Sequence, residues 1–313
     1  MPSVAPYQPL RPSRSETLAI RHQRYHVRLW GNAASTQPPL VMVHGWMDVA
    51  ASYQFTVDAL SPELLAQRLI VAPDWRGFGH TTGPACDHYA FADYLGDLDA
   101  LLDHYAPGQP IDLIGDSMGG HIAMMYSGAR PTRIRRLINL EGFGMPAAQP
   151  AQAPTRYAKW LDELKVLHRG DNALKTYDSV AGVAERLMKT NRRLPADKAH
   201  WLARQWSAER VQADGSTRWE ILGDAAHRVV NAHLFRVDEI RALYAAITAP
   251  VLMVLASDDS LGGWWGERYT QAEFQKRLAA VPNLKQATLP DSGHMLHHDQ
   301  PELLARQIEA FWG

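Results

Sequence analysis

The chain has 313 residues, of which 46% are hydrophobic and 21% are charged, a composition typical of globular proteins and unlike that of disordered ones. A chain of this length buries about three quarters of its unfolded surface, which fits one enlarged domain or a domain with an insertion. The 32 basic and 33 acidic side chains leave a formal charge of -1. This balance argues against a nucleic-acid groove or a polybasic membrane surface, because both need a clustered positive excess.

The cysteine content and the N-terminal sequence bear on the compartment. The one cysteine, Cys86, cannot form an internal disulfide, which favours a reducing environment. Residues 1–14 contain prolines and arginines where a secretory signal needs an apolar core. No stretch reaches the about eighteen apolar residues that a transmembrane helix requires. We therefore expect a cytoplasmic protein without a membrane span.

Taken in chain order, the elements predict an α/β fold, that is, a mostly parallel central sheet flanked by helices. Thr17–Trp30 alternates loosely and predicts an antiparallel hairpin at the sheet edge. From residue 40 to about 140, and again from 250 onward, short apolar runs alternate with segments of helical period. Phe91 to Tyr105 has the apolar spacing of an amphipathic helix. The predicted strands are Leu40–Val43, Leu69–Ala72, Ile111–Ile114, Leu137–Leu140, Val251–Leu255 and Gln286–Leu289.

The middle of the chain predicts an insertion. Met145–Pro154 contains three prolines and indicates a linker, and from Tyr157 to Ile247 the apolar spacing is helical with no clear strand. We predict a core domain of residues 1–144 and 249–313 with a helical lid of residues 145–248. The alternative is a helical segment that lies at the periphery. The last helix is predicted to begin at Asp299 as its cap, with Glu302 at the third helical position.

A serine lies at a predicted strand-to-helix turn. Gly115–Gly119 has the pattern G-x-S-x-G, directly after the predicted strand Ile111–Ile114 and before a helical segment. Such a turn strains the central residue and directs Ser117 toward the positive end of the following helix. We interpret Ser117 as a nucleophile, and the alternative is a structural Gly-Ser turn.

With four further motifs, the chain resembles the cap-bearing members of the α/β-hydrolase fold superfamily. The motifs stand in the order and spacing of that family, and the resemblance covers the chain except for the lid and the first fifteen residues. It implies a mostly parallel sheet flanked by helices, with an inserted helical lid. The motifs are Val41–Trp46, Asp74–Gly79, Gly115–Gly120, Pro250–Leu255 with Asp259, and Ser292–His294.

The resemblance also implies how Ser117 would be activated. It assigns the oxyanion hole to the backbone N–H groups of Trp46 and Met118, and the base to His294. His297 and His298 compete for the role of base, but only His294 follows a glycine as in the family. A zinc site at His294 and His297 is not expected, because no acidic or cysteine partner matches them.

Two carboxylates compete for the third member of the triad, which would orient the imidazole and stabilise its charged form. Asp259 has the usual family position, although Ala256 stands where the family usually has glycine. Glu141 ends the preceding core strand, where some relatives, including certain dehalogenases, carry their acid. We favour Asp259, with Glu141 as the alternative, which could instead cap a helix or anchor the lid.

A serine nucleophile disfavours haloalkane dehalogenase and epoxide hydrolase activity, which in this superfamily use an aspartate. The resemblance therefore implies a carboxylesterase-type serine hydrolase that cleaves an ester, thioester or lactone through an acyl-enzyme, with no cofactor and no metal. The expected partner is a small, apolar acyl substrate and not a nucleic acid. Alternatives are a carbon–carbon bond hydrolase, a cofactor-free haloperoxidase-like enzyme or a non-catalytic ligand-binding protein. Five tryptophans would either pack the lid against the core or line an acyl pocket, namely the tryptophans 160, 201, 206, 264 and 265.

Overall fold

The computed structural model describes residues 6–212 and 214–312, so the first five residues of the N-terminal segment lie outside it. Within this part of the chain no helix has both the length and the apolar character that crossing a membrane requires. The strands are β1 Arg14–Ile20, β2 Gln23–Gly31, β3 Leu40–Val43, β4 Leu69–Pro73, β5 Ile111–Asp116, β6 Ile134–Leu140, β7 Thr176–Tyr177, β8 Ser207–Val211, β9 Thr217–Ile221, β10 Val251–Ala256 and β11 Leu284–Leu289. The helices are α1 Gln54–Ala59, α2 Pro62–Gln67, α3 Phe91–Tyr105, α4 Met118–Ala129, α5 Ala153–His168, α6 Val180–Thr190, α7 Ala196–Trp206, α8 Val237–Ala245, α9 Ser260–Trp265, α10 Gln271–Leu278, α11 Leu296–Asp299 and α12 Pro301–Trp312.

Eight strands form the central sheet in the spatial order β1-β2-β4-β3-β5-β6-β10-β11. The pairs β1/β2 and β2/β4 are antiparallel, and the other neighbours are parallel. The predicted hairpin and all six predicted strands are present. The predicted fold class, a mostly parallel sheet flanked by helices with an inserted helical region, is confirmed.

Apolar layers cover both faces of the sheet because successive side chains of a strand point to opposite sides. In β3, Val41 and Val43 join the layer under α3, α4, α8 and α10, whereas Leu40 and Met42 join the layer under α1 and α12. All four side chains are fully buried. A strand buried on both faces appears in the sequence as a continuous apolar run, which is why the positions of these strands could be predicted accurately.

The insertion between β6 and α8 contains a small sheet that the sequence analysis did not predict. Its strands β7, β9 and β8 pair in antiparallel order. Most of their side chains are half-buried or exposed, and β8 and β9 carry arginine and glutamate. Strands that are only partly buried lack the continuous apolar run that signals a buried strand, so the expectation of a lid without strands was wrong.

Helix α8 packs with the core rather than with the rest of the insertion. Ile240 and Tyr244 lie in the same apolar cluster as the strands, and Leu243 contacts Gly128 of α4 closely. The boundary predicted at residue 248 therefore falls after a helix that covers the sheet. The boundaries 145 and 248 stay a prediction.

The remaining helices of the insertion differ in how they contact the core. Helix α5 has no fully buried residue, and Tyr157 and Leu161 are about half exposed. Helices α6 and α7 instead pack Val183 and Leu202 into a cluster with Phe55 of α1. The lid is therefore anchored through α6 and α7.

We expect Leu202→Ala to destabilise the protein by about 2 to 5 kcal/mol, because Leu202 is 1% exposed and its removal leaves a cavity between lid and core. Leu161→Ala is the matched control on α5, where about 0.5 kcal/mol or less is expected at an exposed site. Urea unfolding curves of the two variants measure the difference. Equal losses would contradict this account of lid anchoring.

Candidate active site

Ser117 stands at the turn between β5 and α4. Its backbone has φ 50 and ψ -114, a region that L-residues rarely adopt, and its N–H donates to the carbonyl of Leu140. Gly119 lets the first turn of α4 approach β3, because an added Cβ would lie 2.2 Å from the carbonyl oxygen of Val43. The strained serine is therefore held from both sides by backbone contacts.

His294, in the turn between β11 and α11, reaches the serine. Its Nε2 lies 2.8 Å from Ser117 Oγ, and its Nδ1 lies 3.3 Å from Oε2 of Glu141. A carboxylate accepts only, so Nδ1 carries the proton and Nε2 is free to accept the serine hydroxyl proton. Serine, histidine and carboxylate thus form a continuous chain of contacts.

Glu141 is fixed by the end of the neighbouring strand β10. Its side chain is 2% exposed, and Oε1 accepts the N–H of Ala256 at 2.8 Å. Its own N–H donates to the carbonyl of Val254. The backbone of Glu141 has φ 53, which turns the chain sharply after β6 and directs the carboxylate toward His294.

Asp259 occupies a different place. It is exposed and caps α9, where Oδ1 accepts the N–H of Gly262 at 2.9 Å. The structure thus places Glu141, the alternative acid, beside His294, whereas Asp259, the favoured one, bonds Gly262 instead. The choice of Glu141 as the triad acid is therefore a proposal. Strands β6 and β10 are neighbours, so both carboxylates follow strands that end at one edge of the sheet. Only the turn geometry decides which one points at the imidazole.

Backbone strain is concentrated around this constellation. Five non-glycine residues of the described chain have positive φ, and one of them, Arg21, lies in the β1–β2 turn. The other four are Met47, Ser117, Glu141 and Asp291. They stand in the four segments that meet here, and such strain persists where the surrounding structure demands it, often at functional sites.

The sequence matches the family described as alpha/beta hydrolase fold over residues 38–301. This match covers most of the chain and includes every residue of the constellation. The chain belongs to that family.

Individual relatives have low sequence identity to this chain or match only part of it. A serine hydrolase-like protein of Dictyostelium discoideum is 23% identical over 289 residues, 91% of this chain and 77% of that protein. A 2-hydroxy-6-oxo-2,4-heptadienoate hydrolase of Pseudomonas putida is 32% identical over 107 residues, which are 34% of this chain and 38% of that protein. The thioesterase domain from the curacin biosynthetic pathway superposes with a TM-score of 0.77 at 22% identity, over 95% of this chain and 99% of that one. This last likeness shows the fold alone.

In this α/β hydrolase the two expected oxyanion donors flank the serine. Met118 is the first residue of α4, and the first N–H groups of a helix have no partner within it. Trp46 follows Gly45, where an added Cβ would lie 3.0 Å from the Cβ of Ser117. The assignment of both N–H groups to an oxyanion hole stays a prediction.

The histidine of the β3 motif has a structural role. His44 is fully buried, and its Nε2 accepts the N–H of Trp75 at 2.9 Å. Its Nδ1 lies 2.8 Å from the carbonyl oxygen of Gly45. Both ring nitrogens are used, so this side chain holds the strand end in place.

Aromatic side chains line the histidine. The ring of Phe143 stacks at 6.3 Å from that of His294, and Trp264 meets it edge-on at 5.8 Å. Trp264 and Trp46 are 56% and 43% exposed. Trp201 and Trp206, in contrast, pack lid against core. The sequence analysis did not single out Phe143. Its position, two residues after the candidate acid Glu141, was the one signal that could have indicated it.

Lid residues also contact the turn that carries His294. Arg193 pairs with Asp258 at 2.8 Å and with Asp291 at 3.0 Å. Asp299 accepts from the side chain of Asn191 and from the N–H of Gly293. Asp299 is therefore the last residue of α11 and holds this turn through hydrogen bonds. The prediction that it caps the last helix, α12, was wrong.

Proposed function

We propose that this α/β hydrolase is a serine hydrolase whose triad consists of Ser117, His294 and Glu141. The observation that carries the proposal is the contact chain from Ser117 Oγ through both nitrogens of His294 to a buried carboxylate. A neutral imidazole in hydrogen-bond reach of a strained serine is the arrangement that activates a hydroxyl nucleophile.

In the first half of the reaction, Ser117 Oγ attacks the substrate carbonyl carbon while its proton passes to His294 Nε2. The negative charge that develops on the carbonyl oxygen is stabilised by the N–H groups of Trp46 and Met118. Glu141 stabilises the imidazolium. His294 then gives the proton to the leaving group, and the acyl-serine ester remains.

In the second half, water replaces the leaving group. His294 takes a proton from the water as it attacks the acyl carbonyl, and the same two N–H groups hold the oxyanion. Collapse of this intermediate returns the proton to Ser117 Oγ and releases the acid. Each proton taken up by His294 is given back, so the cycle closes.

The surroundings favour an apolar acyl group in an ester or thioester. Phe143 and Trp264 present aromatic surface at His294. Arg193, the lid guanidinium beside this turn, is engaged by two carboxylates and is not available to a substrate carboxylate. Partial identity to the heptadienoate hydrolase supports a second candidate, hydrolysis of a carbon–carbon bond in a 2-hydroxy-6-oxo acid.

Fluorophosphonate labelling followed by a substrate panel tests the proposal. We expect stoichiometric labelling and hydrolysis of p-nitrophenyl esters or acyl thioesters. A 2-hydroxy-6-oxodienoate forms the second arm of the panel. Turnover of that acid with inert esters would favour the second candidate, and absence of labelling would contradict a serine nucleophile.

We expect Trp264→Ala to reduce kcat/KM for an octanoyl ester about 5- to 10-fold more than for an acetyl ester, because a lost aromatic contact is worth about 1 kcal/mol. Tyr157→Ala is the matched control, since Tyr157 is an exposed lid aromatic at 46% exposure. Equal effects on both chain lengths would show that Trp264 does not contact the acyl group.

A further inference from the structure

Beneath the candidate site lies a buried charged cluster that the proposed mechanism does not use. His297 is fully buried, with Nδ1 at 3.4 Å from Asp116 Oδ1 and Nε2 at 3.7 Å from Asp48 Oδ2. Both carboxylates are buried as well, at 1% and 6% exposure. These separations are those of ion pairs, so the attraction depends on charge.

The hydrogen bonds of Ser52 accommodate a charged His297 beside a neutral His298. Ser52 Oγ lies 3.1 Å from His297 Nε2 and also bonds His298 Nε2. If His297 donates to the serine oxygen, the serine hydroxyl donates to His298, which is then neutral. A charged His297 and a neutral His298 thus satisfy both contacts of the Ser52 hydroxyl.

The electrostatic surroundings agree with that assignment. Burial alone would lower the pKa of His297, but the charges of Asp116 and Asp48 and contacts with them outweigh it and raise the pKa to about 10. Burial, together with the charge of His297, lowers the pKa of His298. Other titratable neighbours are His44 at the end of β3 and Lys198 on α7, which act on Asp48 and His298 respectively. The ring of Tyr53 lies 5.5 Å from that of His297, and burial together with the charges of Asp116 and Asp48 raises the pKa of Tyr53.

The three members of the cluster stand on the three segments that carry the reacting groups. Asp48 follows the oxyanion residue Trp46 by two positions, and Asp116 directly precedes Ser117. His297 follows His294 by three. Asp116 also lies against the oxyanion segment, because its Oδ2 would be 2.9 Å from a Cβ on Gly45.

We propose that His297 is a positioning residue whose charged side chain holds Asp48 and Asp116 together and thereby fixes the oxyanion segment against the nucleophile turn. The inference rests on the proposed function. Without the positive charge, two buried carboxylates would repel each other across this junction. A displacement of about 1 Å at the reacting atoms costs about 100-fold in rate.

A bound metal ion is the competing explanation, since Asp48, His297 and His298 offer ligand atoms within 4.8 Å of one another. However, Ser52 Oγ bonds both imidazole Nε2 atoms and so occupies the space between them. A proton on His297 offsets the charge of the two carboxylates without displacing the hydroxyl.

The test uses the fluorophosphonate labelling rate of the full chain, separated into kinact and KI. We expect His297→Gln to lower kinact about 100-fold with KI changed less than about threefold, because the reacting groups are displaced rather than the apolar wall. His298→Gln is the matched control, since it removes a neutral imidazole beside the same groups, and a change within about threefold is expected. Equal losses in the two variants would overturn a role for the charge.

Removal of one carboxylate provides the rescue. Asp48→Asn added to His297→Gln should recover about tenfold of the lost rate, because one unpaired buried charge disappears. In Asp48→Asn alone the pKa of His297 should fall. The loss of labelling at alkaline pH should therefore begin at lower pH than in the parent protein, for which we expect it to begin near pH 10. No rescue and no shift would mean that His297 acts by packing.

Two measurements separate this inference from the proposed function. Histidine ¹⁵N titration of the Ser117→Ala protein needs no activity, and His297 should remain protonated to about pH 10. Titration of His297 near its ordinary value of about 6.5 would overturn the charged cluster. One zinc per purified chain that is lost in His297→Gln would overturn it in favour of a metal site. Failure of the parent protein to label, with the titration as expected, would contradict the proposed function alone.

Discussion

Replacement of Ser117 by alanine should abolish fluorophosphonate labelling and lower turnover by about 10⁴-fold or more, because no other group would form the acyl-enzyme. The fold should persist. Alanine has no larger side chain than serine, and the backbone contacts that hold the turn involve Leu140 and Val43 rather than the hydroxyl. The free energy of unfolding, measured by thermal unfolding, should therefore change by less than about 1 kcal/mol.

Ser127→Ala is the matched control on the same helix. Ser127 is fully buried, and its hydroxyl donates to the carbonyl of Ala123 within α4, away from His294. This variant should lose about 1 kcal/mol of stability and label at the parent rate. Labelling of the Ser117→Ala protein at the same stoichiometry as the parent would refute the assignment of the nucleophile.

The second large effect concerns the acid. Glu141→Gln should lower turnover by several orders of magnitude, because an amide favours the wrong imidazole tautomer and cannot offset the imidazolium charge. In the serine protease that serves as the standard example, the corresponding change costs about 10⁴-fold. The acylation rate with an activated ester measures this loss directly. The substitution preserves side-chain size, so thermal unfolding should remain cooperative.

Asp259→Asn is the comparison that decides between the two carboxylates. Asparagine caps a helix about as well as aspartate, so α9 should keep its cap and the stability loss should be a few tenths of a kcal/mol. Turnover should stay within about threefold of the parent, because Asp259 bonds Gly262 and not His294. A large loss in Asp259→Asn with a small one in Glu141→Gln would restore the assignment made from the sequence.

Much of the fold could be predicted because the central strands are buried on both faces. Leu40–Val43 and Val251–Ala256 are continuous apolar runs in the sequence for the same reason that they are core strands in the structure. The small sheet of the insertion lacks this signal, since β8 and β9 expose charged side chains. Its hairpin was therefore not predicted.

The position of the proposed nucleophile could also be predicted, because a short motif between a strand and a helix places Ser117 through local geometry alone. The sequence by itself determined the fold class, this serine and the turn that carries His294. Which carboxylate meets His294 was decided by tertiary structure. Glu141 and Asp259 both follow core strands, and the strained backbone at Glu141 together with the N–H of Ala256 directs only the former to the imidazole. His297 likewise gains its partners only when three segments distant in sequence are packed together, because side-chain direction depends on contacts that no local pattern contains.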